Sequence, residues 1–269
     1  MMVLLKRLVA GALVCGCVLV AGCVTEVTDD ATGKPKSKPS TERKVDMQSA
    51  LADYITLANG YMREGKRELA LRAIKKGLEI DDDSAELRNV LAYYYLSDGE
   101  KVLAEKEYKE ALSDDARYTP TYVNYGVFLY RDNRIDEACS YFAKATEDVM
   151  YGKRDVAFLN YGTCLKKQGK MKEAEEAFRR SYINNARNPQ VILEMAELKF
   201  ETGEFDQSNQ LYEKFLMSSK QTAQSLWLGI RLAQKQGQPD KVSSYALLLK
   251  NHFATSPQYS EYQVWAKKK

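Results

Sequence analysis

Residues 158–178 read Phe158-Leu159-Asn160-Tyr161-Gly162-Thr163-Cys164-Leu165-Lys166-Lys167-Gln168-Gly169-Lys170-Met171-Lys172-Glu173-Ala174-Glu175-Glu176-Ala177-Phe178. In the first half, Phe158, Tyr161, Gly162 and Leu165 fall at i, i+3, i+4 and i+7, which is one face of a helix. Gly169 ends that helix, because glycine takes the left-handed conformation at little cost. Ala174 and Phe178 then stand four apart on a second helix. The stretch predicts a helix–turn–helix in which small residues let the two helices approach closely and the aromatic fills the gap between neighbours.

The same markers recur along the chain. The first small residue is Ala58, Ala92, Gly126, Gly162, Ala196 and Gly229, at spacings of 34, 34, 36, 34 and 33. The second is Ala70, Ala104, Ala138, Ala174, Ser208 and Val242. Between them lie Gly65, Gly99, Asn133, Gly169, Gly203 and Gly237, and four residues beyond come Ile74, Tyr108, Phe142, Phe178, Tyr212 and Ala246. One such hairpin cannot bury its apolar face alone, so copies stack. The pattern resembles the tetratricopeptide repeat (TPR). It implies an all-α fold, a right-handed α-solenoid of six repeats and twelve to thirteen helices. The repeats span about residues 51–84, 85–118, 119–154, 155–188, 189–221 and 222–257. The fit is uneven. Repeat five has Ser208 for alanine, repeat six has Val242 and Ala246, and Gly77 inside a helix of repeat one costs about 1 kcal/mol relative to alanine. The end repeats are expected to act as caps.

Outward from the array, the N-terminus reads as an address. Lys6 and Arg7 precede an apolar run from Leu8 to Val20, the length of a signal h-region and too short to span a bilayer. Val20-Ala21-Gly22-Cys23 follows and resembles the lipobox of bacterial lipoprotein precursors. That resemblance implies cleavage after Gly22, a diacylglycerol on the Cys23 thiol and an acylated amino group. Two or three chains anchor stably where one is marginal. Val24 in place of Asp implies the outer membrane, with the body facing the periplasm. Residues 25–44 are polar, with no apolar period, and read as a disordered tether. The expected organisation is a signal peptide (1–22), lipidated cysteine and tether (23–46), repeat domain (47–257) and C-terminal tail (258–269).

Composition narrows the function. Lys and Arg number 40 and Asp and Glu 37; without Lys6 and Arg7 the balance is 38 − 37 = +1. A nearly neutral body has no strong electrostatic reason to bind nucleic acid. His252 is the one histidine, which argues against histidine catalysis and multi-histidine metal sites. Asp81-Asp82-Asp83 reads as an N-terminal helix cap. No enzyme constellation, cofactor or small-molecule substrate is expected, and the chain reads as a monomeric binding scaffold.

Two cysteines remain in the body. Cys139 opens the second helix of repeat three and Cys164 lies late in the first helix of repeat four. Those helices pack together in a TPR stack, so a disulfide is open in an oxidising compartment. The alternative, favoured from the residues, is two small buried hydrophobes. In this fold the first helix of each repeat lines the inner groove, through repeat positions 2, 5, 9 and 12. Here that gives Ile55, Asn59 and Met62; Asn89, Tyr93 and Leu96; Val123, Val127 and Tyr130; Leu159 and Thr163; Leu193 and Phe200; Leu226 and Ile230. The reading is a largely apolar trough for an apolar or amphipathic segment. Its binding residues are expected to be Tyr93, Leu96, Val123, Val127, Tyr130 and Leu159.

The lipobox at Cys23, the six repeats and several stretches together resemble the type IV pilus biogenesis lipoproteins of the PilF/PilW type, the pilotins. The stretches are Leu103-Ala104-Glu105-Lys106-Glu107-Tyr108, Asn124-Tyr125-Gly126-Val127-Phe128-Leu129, Leu159-Asn160-Tyr161-Gly162 and Leu226-Trp227-Leu228-Gly229-Ile230-Arg231. The resemblance covers about residues 50–258. It implies a non-enzymatic lipoprotein that binds the pilus secretin and helps it reach the outer membrane and multimerise. The rival in the same class is a TPR lipoprotein adaptor for peptidoglycan enzymes or β-barrel assembly.

Overall fold

The computed structural model describes residues 40–268. The signal segment, Cys23 and most of the expected tether lie outside the described residues. By contacts the chain divides into two compact units, residues 1–48 and 49–269, and the second holds the repeats. The described residues form thirteen helices and no strand.

Their ranges are α1 Ser40–Arg63, α2 Arg67–Leu78, α3 Ala85–Ser97, α4 Lys101–Asp114, α5 Thr119–Arg131, α6 Ile135–Glu147, α7 Arg154–Lys167, α8 Met171–Asn184, α9 Pro189–Glu201, α10 Phe205–Ser218, α11 Ala223–Lys235, α12 Pro239–Phe253 and α13 Pro257–Ala266. Odd-numbered helices α1–α11 are the A helices of the six repeats and even-numbered ones the B helices. From α3 onward each A helix packs against its own B helix and against the next A helix. The A helices therefore share one continuous face of the stack.

The residues expected to end the A helices do so. Gly65, Gly99, Gly169, Gly203 and Gly237 have φ between 66° and 85°, and Asn133 has φ 64°. This left-handed cap turns the chain within three residues into the B helix. The B-to-A turns are closed differently. Ser84 caps α3, Asn188 caps α9 and Thr222 forms a capping box with Ser225 on α11. Pro120, Pro189 and Pro239 sit in the first turns of α5, α9 and α12, where the missing N–H costs nothing.

The core is the marker set. Ala58, Ala70, Ala92, Ala104, Ala138, Ala174 and Ala196 are fully buried, as are Ile74 and Phe178. Gly126 and Gly162 lie under the rings of Phe142 and Phe178, so close that a Cβ would come within 2.6 Å of ring carbons. Ser208 keeps its place in repeat five because its buried hydroxyl donates to Ala196 O at 2.7 Å, across the hairpin. Gly77, a poor helix former, is needed for the packing of α2. A Cβ there would overlap the Leu87 side chain and press on Tyr54.

Three expectations change. Helix α1 begins at Ser40, inside the stretch read as tether; from Ser40 the chain has no Gly or Pro until Gly60, so nothing breaks the helix. The expected tail after residue 257 is helix α13, capped by Ser256, whose Oγ accepts from Tyr259 N at 3.2 Å. Tyr262 and Trp265 on α13 pack edge-on against Trp227 of α11, at 6.2 and 5.7 Å between ring centres. A seventh, unpaired helix thus covers the end of the stack. Finally, the alternatives for Cys139 and Cys164 resolve as a disulfide with Cα atoms 5.5 Å apart, joining α6 to α7. It crosses the one junction whose spacing is 36 residues, and both cysteines are buried.

Candidate interaction face

Helix α3 presents Asn89, Tyr93 and Leu96 along one stripe, at i, i+4 and i+7. Helix α5 presents Asn124, Val127 and Arg131 along another, at i, i+3 and i+7. Between the stripes lies a cleft of about 490 Å3, walled by Tyr93, Leu96 and Val127 and floored by Tyr108 and Phe128. Tyr93 is 54% exposed, a large aromatic held open to solvent beside apolar neighbours. At one end Asn124 Nδ2 donates to Asn89 Oδ1 at 3.1 Å, linking the two A helices. At the other, Lys101 Nζ is 2.7 Å from Asp132 Oδ1. The sequence-derived residues Tyr93, Leu96 and Val127 are thus brought together.

Tyr130 is not with them. Also on α5, it lines a second cleft of about 260 Å3 with Thr163, Lys166 and Lys167 of α7 and Glu201 of α9. Burial, then the charge of Glu194, raises its phenol above the ordinary tyrosine value, although Lys166 opposes this. Val123 and Leu159 are corrected outright: they are 6% and 9% exposed and belong to the core. Val123 packs with Ala145 and Ala157, and Leu159 with the cluster of Val191, Ile192 and Leu193. Position 5 of the repeat points at the neighbouring repeat and not into the groove. Leu193 and Leu226, also at position 5, are buried for the same reason, and Ile230, at position 9, is buried as well. The apolar cleft that these residues form therefore lies between repeats two and three.

Beyond it the A face is polar, and composition alone did not show this. Glu194 accepts from Lys166 Nζ at 2.7 Å, from Gln190 Nε2 at 3.1 Å and from Gln224 Nε2 at 2.9 Å. Glu197 accepts from Arg231 Nη2 at 2.6 Å. Both carboxylates are buried. Burial raises Glu197 above the usual carboxylate range; Arg231 and Lys166 pull it down without cancelling that effect. Burial alone would lower Lys166, but Glu194, Glu201 and Glu197 outweigh it and hold the ammonium charged. Arg231 also stacks on Phe200 and Trp227, at 4.7 and 5.1 Å. One signal was available: Glu197 and Arg231 stand 34 residues apart, one repeat, on adjacent A helices.

What the face offers is shape, apolar area and fixed charge. His252 is exposed near the end of α12, with Phe253 as its ring neighbour. Asp81, Asp82 and Asp83 lie just before the Ser84 cap of α3, and Asp82 O accepts from Arg88 Nη2 at 2.7 Å.

Sequence comparison places the tetratricopeptide-repeat family on residues 55–119 and 156–182. The chain is 35% identical, over 245 residues, to the type IV pilus assembly protein PilF of Pseudomonas aeruginosa strain PAO1, covering 91% of this chain and 94% of that one. The fold is similar to the solved structure of Pseudomonas aeruginosa PilF, with a TM-score of 0.73 and 36% identity over 81% of this chain and 99% of that one. It is also similar to PilW, described as a widely conserved type IV pilus biogenesis factor, with a TM-score of 0.69 and 27% identity over 79% and 98% of the two chains.

Proposed function

Since this chain belongs to the PilF family of TPR proteins, we propose that it is a non-enzymatic, lipid-anchored protein of the outer membrane, facing the periplasm, that captures type IV pilus secretin subunits. The observation that carries the binding mode is the cleft between α3 and α5, where exposed Tyr93 and half-buried Leu96 and Val127 stand around an apolar floor. A rigid aromatic beside aliphatics buries area at small entropic cost. The sequence supports the address: the h-region, the small pair Ala21-Gly22 and Cys23. Acyl chains on Cys23 would hold the repeat domain at the bilayer. Tethering then raises the local concentration of captured subunits and favours their multimerisation. No bond is made or broken in this scheme.

Two measurements test it. Crosslinking in intact cells, followed by recovery of the protein from membranes, should bring down the secretin. Recovery of a peptidoglycan enzyme or a β-barrel assembly component in its place would favour the adaptor reading. Cys23→Ala should leave an unlipidated precursor that no longer fractionates with the outer membrane; acyl label still incorporated in that variant would remove the anchor.

A further inference from the structure

The turns from each B helix to the next A helix line one edge of the array, since every A helix from α3 onward starts at such a turn and packs beside its neighbouring A helix. Along part of this edge large apolar side chains stand in solvent. Ile183 and Met217 occupy the same place in successive repeats, five residues beyond the core aromatics Phe178 and Tyr212. Val149 and Met150 stand in the turn before α7. The least open of the four, Ile183, is 65% exposed. The turn before α7 is held by Asp148, which accepts from Thr119 Oγ1 at 2.5 Å and from Met150 N at 2.9 Å. Each of the three turns also carries an exposed cation, Lys153, Arg187 or Lys220, with no ion pair among the described residues.

Charge along the edge is uneven. Residues 185–188 and 219–222 hold one cation each and no acid. The turn before α7 is balanced, Glu147 and Asp148 against Lys153 and Arg154. Asp155, the carboxylate beside residues 185–188, accepts from Asn185 and Asn188 at 3.0 and 3.4 Å. At repeat one the edge is acidic: residues 79–84 hold Glu79, Asp81, Asp82 and Asp83 and no cation. An apolar tip beside a long cationic side chain, repeated from turn to turn, fits a bilayer with anionic headgroups. The tip enters the acyl boundary and the cation stays at the phosphates. Separate tips, one repeat apart, need no matching pockets there, as they would on a protein. The chain also arrives at this edge. The repeat unit begins at Ser49 within α1, the A helix of repeat one, and the start of an A helix is the end where the B-to-A turns lie. From Cys23 to Ser40 is 17 residues, at most about 60 Å when extended.

We propose that the B-to-A edge of repeats three to five docks on an anionic phospholipid bilayer, with Met150, Ile183 and Met217 in the interface and Lys153, Arg187 and Lys220 at the headgroups. This rests on the reading that Cys23 anchors the chain, and it adds a fixed orientation that an anchor alone does not impose. The A face runs away from this edge along its helices and stays open to a partner. The acidic turn of repeat one is repelled by the same surface, so contact is limited to the later repeats.

The test uses the full-length protein purified from membranes, its acyl chains read by mass, and mixed with a large excess of vesicles of phosphatidylcholine with about one-third phosphatidylglycerol. A fluorophore is attached at Ala186→Cys on the proposed edge or at Gln236→Cys on the opposite one; both positions are exposed. The edges are separated by the length of an A helix, 13 residues in α9 or about 20 Å. Lipids carrying a headgroup nitroxide should quench the Ala186→Cys label about twofold or more over the Gln236→Cys label, because an interfacial tip lies within about 5–10 Å of the headgroup boundary. The contrast should vanish in Met150→Ser/Ile183→Ser/Met217→Ser. It should narrow in Lys153→Gln/Arg187→Gln/Lys220→Gln, in phosphatidylcholine alone and at high salt. All six side chains are exposed, so both variants should melt with the wild type. Equal quenching at the two positions, or a contrast that the serine variant keeps, would overturn the proposal. A contrast indifferent to charge and salt would overturn its anionic part. A serine variant that keeps the contrast and loses secretin capture would make this edge a protein surface. The two readings fail separately. Acyl chains without the contrast leave the anchor standing and remove the edge; the contrast without acyl chains does the reverse.

Discussion

The ring of Phe178 lies against the backbone of Gly162, with two of its carbons 2.6 Å from where a Cβ would be. This contact sets the distance between α7 and α8. Gly162→Ala forces the ring to shift, and Gly162→Leu adds a whole side chain where the buried Phe178 ring already fills the space. We expect Gly162→Leu to cost about 2 kcal/mol or more through overpacking, with Gly162→Ala intermediate. Thermal melts followed by circular dichroism check this order. An unchanged melt for Gly162→Leu would mean that α7 and α8 do not meet there.

The disulfide closes a loop of 25 residues around the longest repeat junction. By the chain-entropy argument a loop of that length restricts the unfolded state by about 3–4 kcal/mol. Replacing both Cys139 and Cys164 by alanine should therefore lower stability by up to that amount while the α-helical content of the folded state is kept. Denaturant melts of the oxidised protein, the reduced protein and the double variant give the comparison; equal midpoints for all three would show that the bridge contributes nothing.

Much of this fold could be read in the sequence, because the deciding constraints are local. The six turn residues, Gly65 to Gly237 with Asn133, are set by backbone sterics alone, and the small-residue and aromatic markers recur in fixed register. The interaction face was harder. Whether Val123 and Leu159 face the groove or the next repeat depends on the angle between successive hairpins, which no single helix encodes. Helix α13 falls outside the 34-residue register, so Tyr259, Tyr262 and Trp265, although three residues apart, read as tail. The Glu197–Arg231 pairing acquires meaning only once α9 and α11 are known to be neighbours.

That pairing makes a pH prediction. Glu197 is buried and held by Arg231 at 2.6 Å. Removing the guanidinium leaves a buried carboxylate with its main partner gone, a change that typically costs about 3–5 kcal/mol. Burial already raises Glu197 above the ordinary value of 4.5, and Arg231 is the first group opposing it. In Arg231→Met the folded-state value rises further. A carboxyl group with a raised folded value favours the fold below its unfolded value and loses that contribution as pH rises through the folded value. The deficit of Arg231→Met against wild type should thus be largest near neutral pH and shrink on acidification toward the unfolded value. Urea melts across that range follow it, with Glu197→Met/Arg231→Met as the variant that removes both charges and recovers part of the loss. A deficit independent of pH would show that Glu197 is not the group left behind.

Tyr93 and Tyr130, both read from the sequence as groove residues, should separate by experiment. Tyr93 is more than half exposed, at the mouth of the cleft between α3 and α5. Truncating it removes contact area from a partner and little from the fold. Tyr93→Ala should leave the melting temperature nearly unchanged and weaken secretin capture by about tenfold, the scale of an aromatic hot-spot residue. Tyr130 is half-buried, beside Thr163 and Lys166 of the next A helix. Its loss falls first on the α5–α7 contact, so Tyr130→Ala should cost about 1–2 kcal/mol of stability and leave capture per folded molecule close to normal. Leu96→Ala tests the same wall one turn further along α3. It should follow Tyr93→Ala in capture, because both side chains line the same opening. If Tyr93→Ala and Leu96→Ala assemble secretin multimers at wild-type levels while Tyr130→Ala does not, the docking site lies over α5 and α7, where Tyr130, Thr163 and Lys167 line the neighbouring cleft.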